Sequence, residues 1–308
     1  MKQPLKIGTR ESELAVWQAT QVQTLLKEAG IPSELVYIKS EGDINTVTPL
    51  YELGVQGIFT KTLDAALLSK KIDVAVHSMK DVPTQLAKGI KQAAVLKRAS
   101  YKDILVYKGD KSFIEDKNSV AIIATSSIRR KAQWLHRYPN HLLENLRGNV
   151  NTRLRKVGEN NWNGAIFAGA GLERINLRPA NSIDLDWMLP APAQGAIMIV
   201  CREDDSHSFE ACQHFNDVDT ALCTKLERDF LRTLLGGCST PISGLAEIKK
   251  DAIIFKGNIC SPDGAVKIEI EKECSKQDSE TLGIDIAHDL LKDQRAQNLI
   301  HTIRNEKK

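Results

Sequence analysis

The chain has 308 residues, of which 42% are hydrophobic and 26% are charged, and its formal net charge is +3. This composition excludes a mainly disordered chain and predicts two or three globular domains with buried cores. Aromatic residues make up only 5%, so stacking on aromatic rings is not expected to be the main way of binding a ligand.

The N-terminal segment, MKQPLKIGTR, enters a strand-like stretch almost at once and contains no apolar core followed by a cleavage site. We therefore expect no secretory signal. The uninterrupted apolar runs of the chain are far shorter than a membrane span. These observations predict a cytoplasmic protein that does not insert into a membrane.

All six cysteines follow residue 200, and no two of them form a C-x-x-C pair. The spacing therefore indicates neither a zinc site nor a dithiol redox motif, and we expect no metal. An even number of cysteines permits disulfides, but without an export signal we interpret these residues as free thiols.

Strand-like and helix-like stretches alternate in the first two-thirds of the chain, beginning with a strand over residues 5–8. A helix is predicted to begin after Ser12, which is a good N-cap residue, and to end at Gly30. Further predicted segments are a strand over 34–40, a mobile loop over 41–56, a helix over 57–68 and a buried strand over 73–77.

The same alternation then starts again. Strands are predicted over 103–107, 120–124, 142–146 and 165–168, with helices over about 127–136, capped by Ser126 or Ser127, and over 150–157. Two successive βαβ series predict two α/β domains with mostly parallel sheets. A strand over 196–201 is expected to cross back to the first domain.

The last third of the chain has a different pattern. An amphipathic helix is predicted over 219–234, ended by Gly236 and Gly237, followed by a hairpin over 253–270 with a Ser-Pro-Asp-Gly turn. A helix near 279–291 and a polar tail complete a small α+β domain. The predicted domains are 1–98 with 196–215, then 99–195, then 216–308.

The segment HSMKDVP, residues 77–83, directly follows the buried strand. Ligands in open α/β sheets bind beyond the carboxyl ends of strands. A carboxylate at Asp81, beside Lys80, suits general acid–base work or stabilisation of a developing cation. The more common alternative is a surface Lys–Asp pair beside a core histidine, and composition alone favours that alternative.

Two strand-to-helix junctions carry arginines. Between residues 125 and 156 there are eight basic residues and one acid, Glu144. TSSIRR (125–130) and LRGNVNTR (146–153) each place hydroxyl or backbone N–H donors and arginines at the start of a helix, which favours anions. The pattern predicts a ligand with several carboxylates or phosphates, while a solvated basic face explains it equally well.

Cys238 lies in GGCSTP, residues 236–241, on a loop between a helix and a proline-containing turn. An exposed loop thiol is a candidate for covalent attachment of a ligand. The alternative is a buried, inert thiol, which is the usual state of a free cysteine and is also expected for the other five.

Taken together, these segments resemble the hydroxymethylbilane synthase family, also called porphobilinogen deaminases. The resemblance runs in order along nearly the whole chain, through IGTR (7–10), HSMKDVP, TSSIRR, LRGNVNTRL, residues 168–174, PAQGA (192–196) and GGCSTPI. It implies a fold with two α/β domains like the lobes of periplasmic binding proteins, with the active cleft between them, and a small C-terminal α+β domain.

The resemblance also implies the activity. The family joins four porphobilinogen molecules head to tail, loses four ammonia molecules and releases hydroxymethylbilane, in heme biosynthesis. A dipyrromethane cofactor is linked by a thioether to the cysteine that matches Cys238, and Asp81 matches the catalytic carboxylate that helps ammonia leave and stabilises a cationic azafulvene. The implied enzyme is a monomer that binds neither nucleic acid nor membrane.

The remaining residues that match the family's motifs divide into two groups. Those implied to hold the cofactor are Lys80, Ser78, Thr125, Ser127, Arg129, Arg130, Arg147, Gly148 and Asp43. Those implied to bind substrate are Arg10, Ser12, Phe59, Arg153, Arg174, Gln194 and Gly195. Six pyrrole units held together carry twelve carboxylates, which is the kind of ligand that clustered arginines suit.

The sequence departs from the family where many members have basic residues. Glu41, Glu52 and Gln56 stand in the segment before Phe59, and Lys61 is the nearest replacement. Two alternatives compete with the enzyme: a non-catalytic solute-binding protein, which the loop cysteine disfavours, and a nucleic-acid-binding module, which the scarcity of aromatic residues in 125–156 disfavours. A colour reaction for pyrroles and a salt-dependent affinity for duplex, respectively, would distinguish them.

Overall fold

The computed structural model describes residues 3–39, 60–234 and 240–305, excluding the side chains of 304 and 305, as three units, each built on its own sheet. Predictions for the 41–56 loop, Asp43, Phe59 and Cys238 concern residues outside these ranges. The predicted class, two α/β units followed by a small α+β unit, is confirmed.

The first unit has a five-stranded sheet in the spatial order β2–β1–β3–β10–β4. Its strands are β1 (Leu5–Thr9), β2 (Ser33–Tyr37), β3 (Val74–Ser78), β4 (Ile90–Val95) and β10 (Ile197–Arg202). Its helices are α1 (Glu13–Glu28), α2 (Lys61–Leu68) and α6 (Ser206–Gln213). Apolar side chains on both faces of this sheet are buried, as expected of strands covered by helices on either side.

The second unit repeats the plan with the order β7–β6–β8–β5–β9. Its strands are β5 (Asp103–Tyr107), β6 (Ile122–Ala124), β7 (Leu142–Glu144), β8 (Gly164–Ala168) and β9 (Ser182–Asp184). Its helices are α3 (Ile128–Arg137), α4 (Val150–Glu159) and α5 (Gly169–Glu173).

The prediction of mostly parallel sheets was wrong, since half of the strand pairs in each sheet are antiparallel. β10 runs antiparallel to β3 and β4, and β5 runs antiparallel to β8 and β9. The parallel pairs are those in the βαβ series, where a helical crossover returns the chain in the same direction. β5 and β10 instead lie next to the two connections between the units, and there the βαβ rule does not apply.

The third unit packs helices against an antiparallel sheet of β11 (Ile242–Lys249), β12 (Ala252–Cys260) and β13 (Lys267–Ser275). Its helices are α7 (Val218–Thr233), α8 (Leu282–Leu290) and α9 (Gln294–Asn305). β11 was not predicted, and the expected polar tail is wrong because it forms α9. That helix buries Ala296, Ile300 and Ile303, whose spacing places them on one face.

Helix starts agree with the predicted caps in position. Ser127 precedes α3, and its hydroxyl accepts the Arg130 backbone N–H. Asn149 caps α4 in the same way through Thr152. Ser12 occupies the N-cap position of α1, but its side chain makes no capping hydrogen bond.

The five described cysteines are free thiols, and four of them are buried. Burial raises the pKa of Cys212 and of Cys260 to about 12, so both stay protonated and unreactive at neutral pH. In the part of the chain that the structure describes, none of the helices combines the length and the hydropathy needed to cross a bilayer.

Candidate active site

The HSMKDVP segment ends β3 and makes one turn of 3-10 helix, Met79–Asp81, at the boundary between the first two units. The Met79 backbone N–H donates to Ala196 O at 3.0 Å, and Lys80 Nζ donates to Gln194 Oε1 at 3.3 Å. Lys80 and Asp81 therefore lie against the connection that returns from the second unit to the first.

Asp103, the first residue of β5, is fully buried at the centre of the TSSIRR junction. Its Oδ1 accepts from Arg130 Nε and Nη2 at 3.0 and 2.7 Å, and its Oδ2 accepts from Arg129 Nη2 at 2.7 Å. Gln194 Nε2 donates to Oδ1 at 2.8 Å. Burial raises the pKa of Asp103, but the two guanidinium charges outweigh burial and hold it far below its ordinary value.

The two arginines of this junction are thus engaged inside the protein, which the motif did not predict. Arg129 Nη1 also donates to Leu189 O at 2.8 Å, and Arg130 Nη1 donates to Ile166 O at 3.1 Å. Both side chains are buried. A ligand carboxylate that binds at this junction would share the guanidinium groups of Arg129 and Arg130 with Asp103.

The LRGNVNTR junction places Arg147 and Arg153 beside the first junction. Arg153 is half-buried, and its Nε is buried with no hydrogen-bond partner among the described residues. Burial, and then the charge of Arg130, lower the pKa of Arg153 to about 10. Gly148 has a φ of +113°, and a Cβ there would lie 2.7 Å from the Thr152 side chain, so this turn requires glycine.

The hydroxyls of TSSIRR connect the two junctions. Ser126 Oγ donates to Leu146 O and accepts the Leu146 backbone N–H, the latter at 3.0 Å. Thr125 is buried, and its Oγ1 accepts the Ser127 backbone N–H at 3.2 Å. The β6–α3 and β7–α4 turns are therefore held side by side.

Positive charges cluster where these segments meet. Lys80, Arg129 and Arg130 lie near Asp103, and Lys80 and Arg153 lie near Asp81. Burial, followed by the charge of Arg130, lowers the pKa of Lys80 to about 8, with Asp81 and Asp103 opposing the shift. A ligand that carries several carboxylates would relieve this repulsion.

The first unit contributes further polar groups. Burial, and next the charge of Arg10, lower the pKa of His77 to about 4, so the imidazole is neutral. Ser78 Oγ accepts from Gln18 Nε2 at 2.9 Å. Arg174, from the second unit, donates to Gly195 O at 2.7 Å and lies over the Trp17 ring of the first unit, 5.8 Å from its centroid.

The two connections between the units run side by side. Gly195 has a φ of +87°, and a Cβ there would lie 2.7 Å from the carbonyl oxygens of Ala99 and Ser100, so only glycine permits this approach. Ala193, with a φ of +62°, is in the left-handed region that non-glycine residues rarely adopt. Its N–H donates to Glu227 Oε2 at 2.6 Å.

Glu227, on α7, is a fully buried carboxylate that joins all three units. Arg98 donates to its two oxygens at 2.5 and 3.1 Å, and the Ala246 backbone N–H donates to Oε1 at 2.8 Å. The sequence analysis did not single out Glu227, Arg98 or Asp103. Two adjacent arginines in an apolar setting are a signal that a buried acid is near, but the pattern does not say which acid.

Comparison with protein families gives two matches in chain order. The model described as "Porphobilinogen deaminase, dipyromethane cofactor binding domain" matches residues 5–210. The model described as "Porphobilinogen deaminase, C-terminal domain" matches residues 221–292. Together these models cover the residues of all three sheets.

Similar proteins match over nearly their full length. The porphobilinogen deaminase of Chlorobium phaeobacteroides is 39% identical over 99% of each chain, and that of Syntrophotalea carbinolica is 40% identical over 93% of this chain and 92% of its own. Among solved structures, the methionine binding protein MetQ has a TM-score of 0.43 and 15% identity, covering 70% of this chain and 91% of its own. The Bordetella pertussis BvgS VFT2 domain has a TM-score of 0.43 and 12% identity, covering 68% and 85%.

Proposed function

The chain belongs to the porphobilinogen deaminase family, and from this membership we propose which residues hold the cofactor, bind the substrate and carry the reaction. The enzyme is a transferase of tetrapyrrole biosynthesis, a hydroxymethylbilane synthase. It condenses four porphobilinogen molecules head to tail, releases four ammonia molecules and uses a dipyrromethane cofactor. Family membership favours the enzyme over the solute-binding and nucleic-acid-binding alternatives.

We propose that Cys238 holds the dipyrromethane through a thioether. When bound, that group supplies the free pyrrole carbon to which the first substrate is joined. The residues that would hold its acetate and propionate groups are Lys80, Ser78, Thr125, Ser127, Arg129, Arg130, Arg147, Gly148 and Asp43. The cluster of cationic side chains at this place, described above, fits a ligand with several carboxylates.

The substrate-binding part of the site is proposed to centre on Arg153. Two observations carry this proposal: the Arg153 Nε has no hydrogen-bond partner among the described residues, and Arg153 lies near Asp81 and Arg130. A buried guanidinium atom without a partner favours an incoming carboxylate. Further proposed contacts are Arg10, Ser12, Phe59, Arg174, Gln194 and Gly195. Gln194 also accepts from Lys80 and donates to Asp103, so it would align the two groups.

Asp81 is proposed as the catalytic residue. Its charge interacts with Lys80 and Arg153, which places it among the groups that would orient substrate carboxylates. From there an ionised carboxylate stabilises the positive charge that develops on the substrate methylene carbon as ammonia leaves. The same side chain can transfer a proton to or from the leaving amine.

Intact mass and steady-state kinetics test both assignments. We expect Cys238→Ser to lose the mass of the two pyrrole units and all activity, whereas Cys274→Ser, at the described cysteine that is only partly buried, keeps both. Asp81→Asn should keep the mass of the cofactor and lose about two or more decades in kcat. An adduct on another cysteine would disprove the first assignment, and near wild-type turnover of Asp81→Asn the second.

We further propose the domain limits 1–98 with 196–215, 99–195 and 216–308, and a monomer in the cytoplasm. β10 pairs with β3 and β4, which supports the return of the chain to the first domain. Tyr37, Leu68 and Val218, three of the exposed large hydrophobic residues, belong to three different segments of the described chain, which supports a monomer. Limited proteolysis, sedimentation equilibrium and cell fractionation test these three proposals in turn.

A further inference from the structure

Arg228, on α7, is buried directly behind the segment that carries Lys80 and Asp81. Its Nη1 donates to Val82 O at 2.9 Å and to Met79 O at 3.4 Å, and its Nη2 donates to Pro83 O at 2.5 Å. One side chain from the third unit therefore holds the backbone on both sides of the Lys80–Asp81 pair.

The geometry of a guanidinium group explains why these contacts restrict the turn. Its N–H donors lie in one plane at fixed angles, so three carbonyl oxygens bound to it have little freedom to move relative to one another. A lysine ammonium is a single point of attachment on a flexible chain and imposes no such plane. The turn at Met79–Asp81 has only three residues, so its shape depends on contacts from outside.

α7 is itself fixed at a second place. Glu227, the residue before Arg228, binds Arg98 and the Ala193 N–H in the two connections between the first and second units. The helix ends at Thr233, five residues before Cys238. Adjacent residues of one helix thus hold the catalytic turn and the connections, and the same helix leads to the proposed attachment site.

We propose that Arg228 is a positioning residue for Asp81: it fixes the Met79–Asp81 turn so that the carboxylate keeps its distance from the reacting atoms. This inference rests on the proposed role of Asp81. A displacement of about 1 Å at a reacting group costs on the order of a hundredfold in rate. Arg228→Lys, which keeps the charge and loses the plane, should lower kcat about tenfold and change KM less than about twofold.

The test compares four holoenzymes, each confirmed by intact mass to carry the cofactor: wild type, Arg228→Lys, Asp81→Asn and the double variant. If Arg228 acts through Asp81, the lysine substitution lowers kcat about tenfold in the wild type and less than about twofold in Asp81→Asn. A purely structural role predicts equal losses in both backgrounds. Arg232→Lys, at an exposed arginine one turn further along the helix, is the matched control and should keep wild-type kinetics.

The outcomes separate the two proposals. Equal losses in both backgrounds, or an unchanged kcat in Arg228→Lys, overturn the positioning role while leaving Asp81 as the catalytic residue. An Asp81→Asn enzyme that turns over near wild-type speed overturns the proposed function instead. If Arg228→Lys does not fold with its cofactor, Arg228→Gln replaces it, and failure of both variants makes Arg228 a structural residue and the inference wrong.

Discussion

The two strand-to-helix junctions of the second unit both carry arginines in the sequence, but in the structure these arginines have different hydrogen-bond partners. At the β6–α3 junction, Arg129 and Arg130 both bind Asp103, which is fully buried. At the β7–α4 junction, Arg153 Nε has no hydrogen-bond partner among the described residues. The single negative charge of Asp103 partly compensates the two arginines of the first junction, whereas no salt bridge joins Arg153 to a carboxylate of the described residues.

The difference shows that arginines at the start of a helix do not by themselves mark a ligand contact. Whether such arginines are available to a ligand depends on whether the fold places an acid behind them. Asp103 reaches its position because β5 lies inside the sheet, between β8 and the edge strand β9. We therefore expect the first junction to contribute more to stability and the second to contribute more to binding.

Removing the internal acid should have the largest effect. Asp103→Asn leaves two buried guanidinium groups without their counter-charge, which destabilises a protein by about 3–5 kcal/mol. We expect a large drop in the urea midpoint, with Asp186→Asn, at an exposed partner of Lys102, as the control that changes little. An unchanged midpoint in Asp103→Asn would remove the distinction between the junctions.

Acid should reveal the same contribution in the wild type. The pKa of Asp103 is depressed in the folded state, so the stability it contributes is present above the unfolded value of about 3.9 and is lost as the pH falls below it. Urea midpoints measured between pH 6 and 3 should fall more steeply for the wild type than for Asp103→Asn.

The second junction should respond in binding and not in stability. Arg153→Leu removes a cation whose pKa burial lowers to about 10, so the urea midpoint should stay the same or rise slightly, while KM rises about tenfold or more. The KM of Arg153→Lys should lie between those of the wild type and the leucine variant, because lysine keeps the charge but lacks the paired N–H donors of a guanidinium group. The exposed Arg155, paired with Glu159, is the control: Arg155→Leu should leave KM unchanged.

A smaller effect is expected from pH at Lys80, which faces both arginines of the first junction. Because its pKa is lowered to about 8, the ammonium loses its proton above that pH and holds the cofactor carboxylates less firmly, so kcat should fall a few-fold between pH 7 and 9. Lys80→Arg should move this fall to higher pH, whereas Lys88→Arg, at an exposed lysine, should not. A kcat profile that is identical in wild type and Lys80→Arg would show that Lys80 does not hold the cofactor carboxylates.

The local pattern of the sequence predicted most elements and the positions of the motifs on them. The strand over 103–107 agrees with β5, and the helices after Ser12 and Ser127 begin where their caps indicated. These features depend on neighbours within a few residues, which periodicity and capping rules describe well. Four of the motif residues that match the family, Lys80, Arg129, Arg153 and Gln194, come together at one place.

Features that depend on distant contacts could not be predicted. The direction of β10 follows from where the chain re-enters the first sheet, and β11 is a strand because β12 pairs with it over eight positions. Asp103 looks like an ordinary polar residue at the start of a strand. Its role appears only when α3 brings two arginines onto it from more than twenty residues away.

Glu227 has a consequence for how the molecule comes apart. A single buried carboxylate binds Arg98 of the first unit, Ala193 of the second and Ala246 of the third. If any one of these units unfolds, the carboxylate is exposed and its hydrogen bonds to the other two units are weakened. Without these contacts, the three units, each with its own sheet, would be expected to unfold at three different temperatures. We expect this shared centre to couple the three units, so that calorimetry of the whole chain records a single unfolding transition.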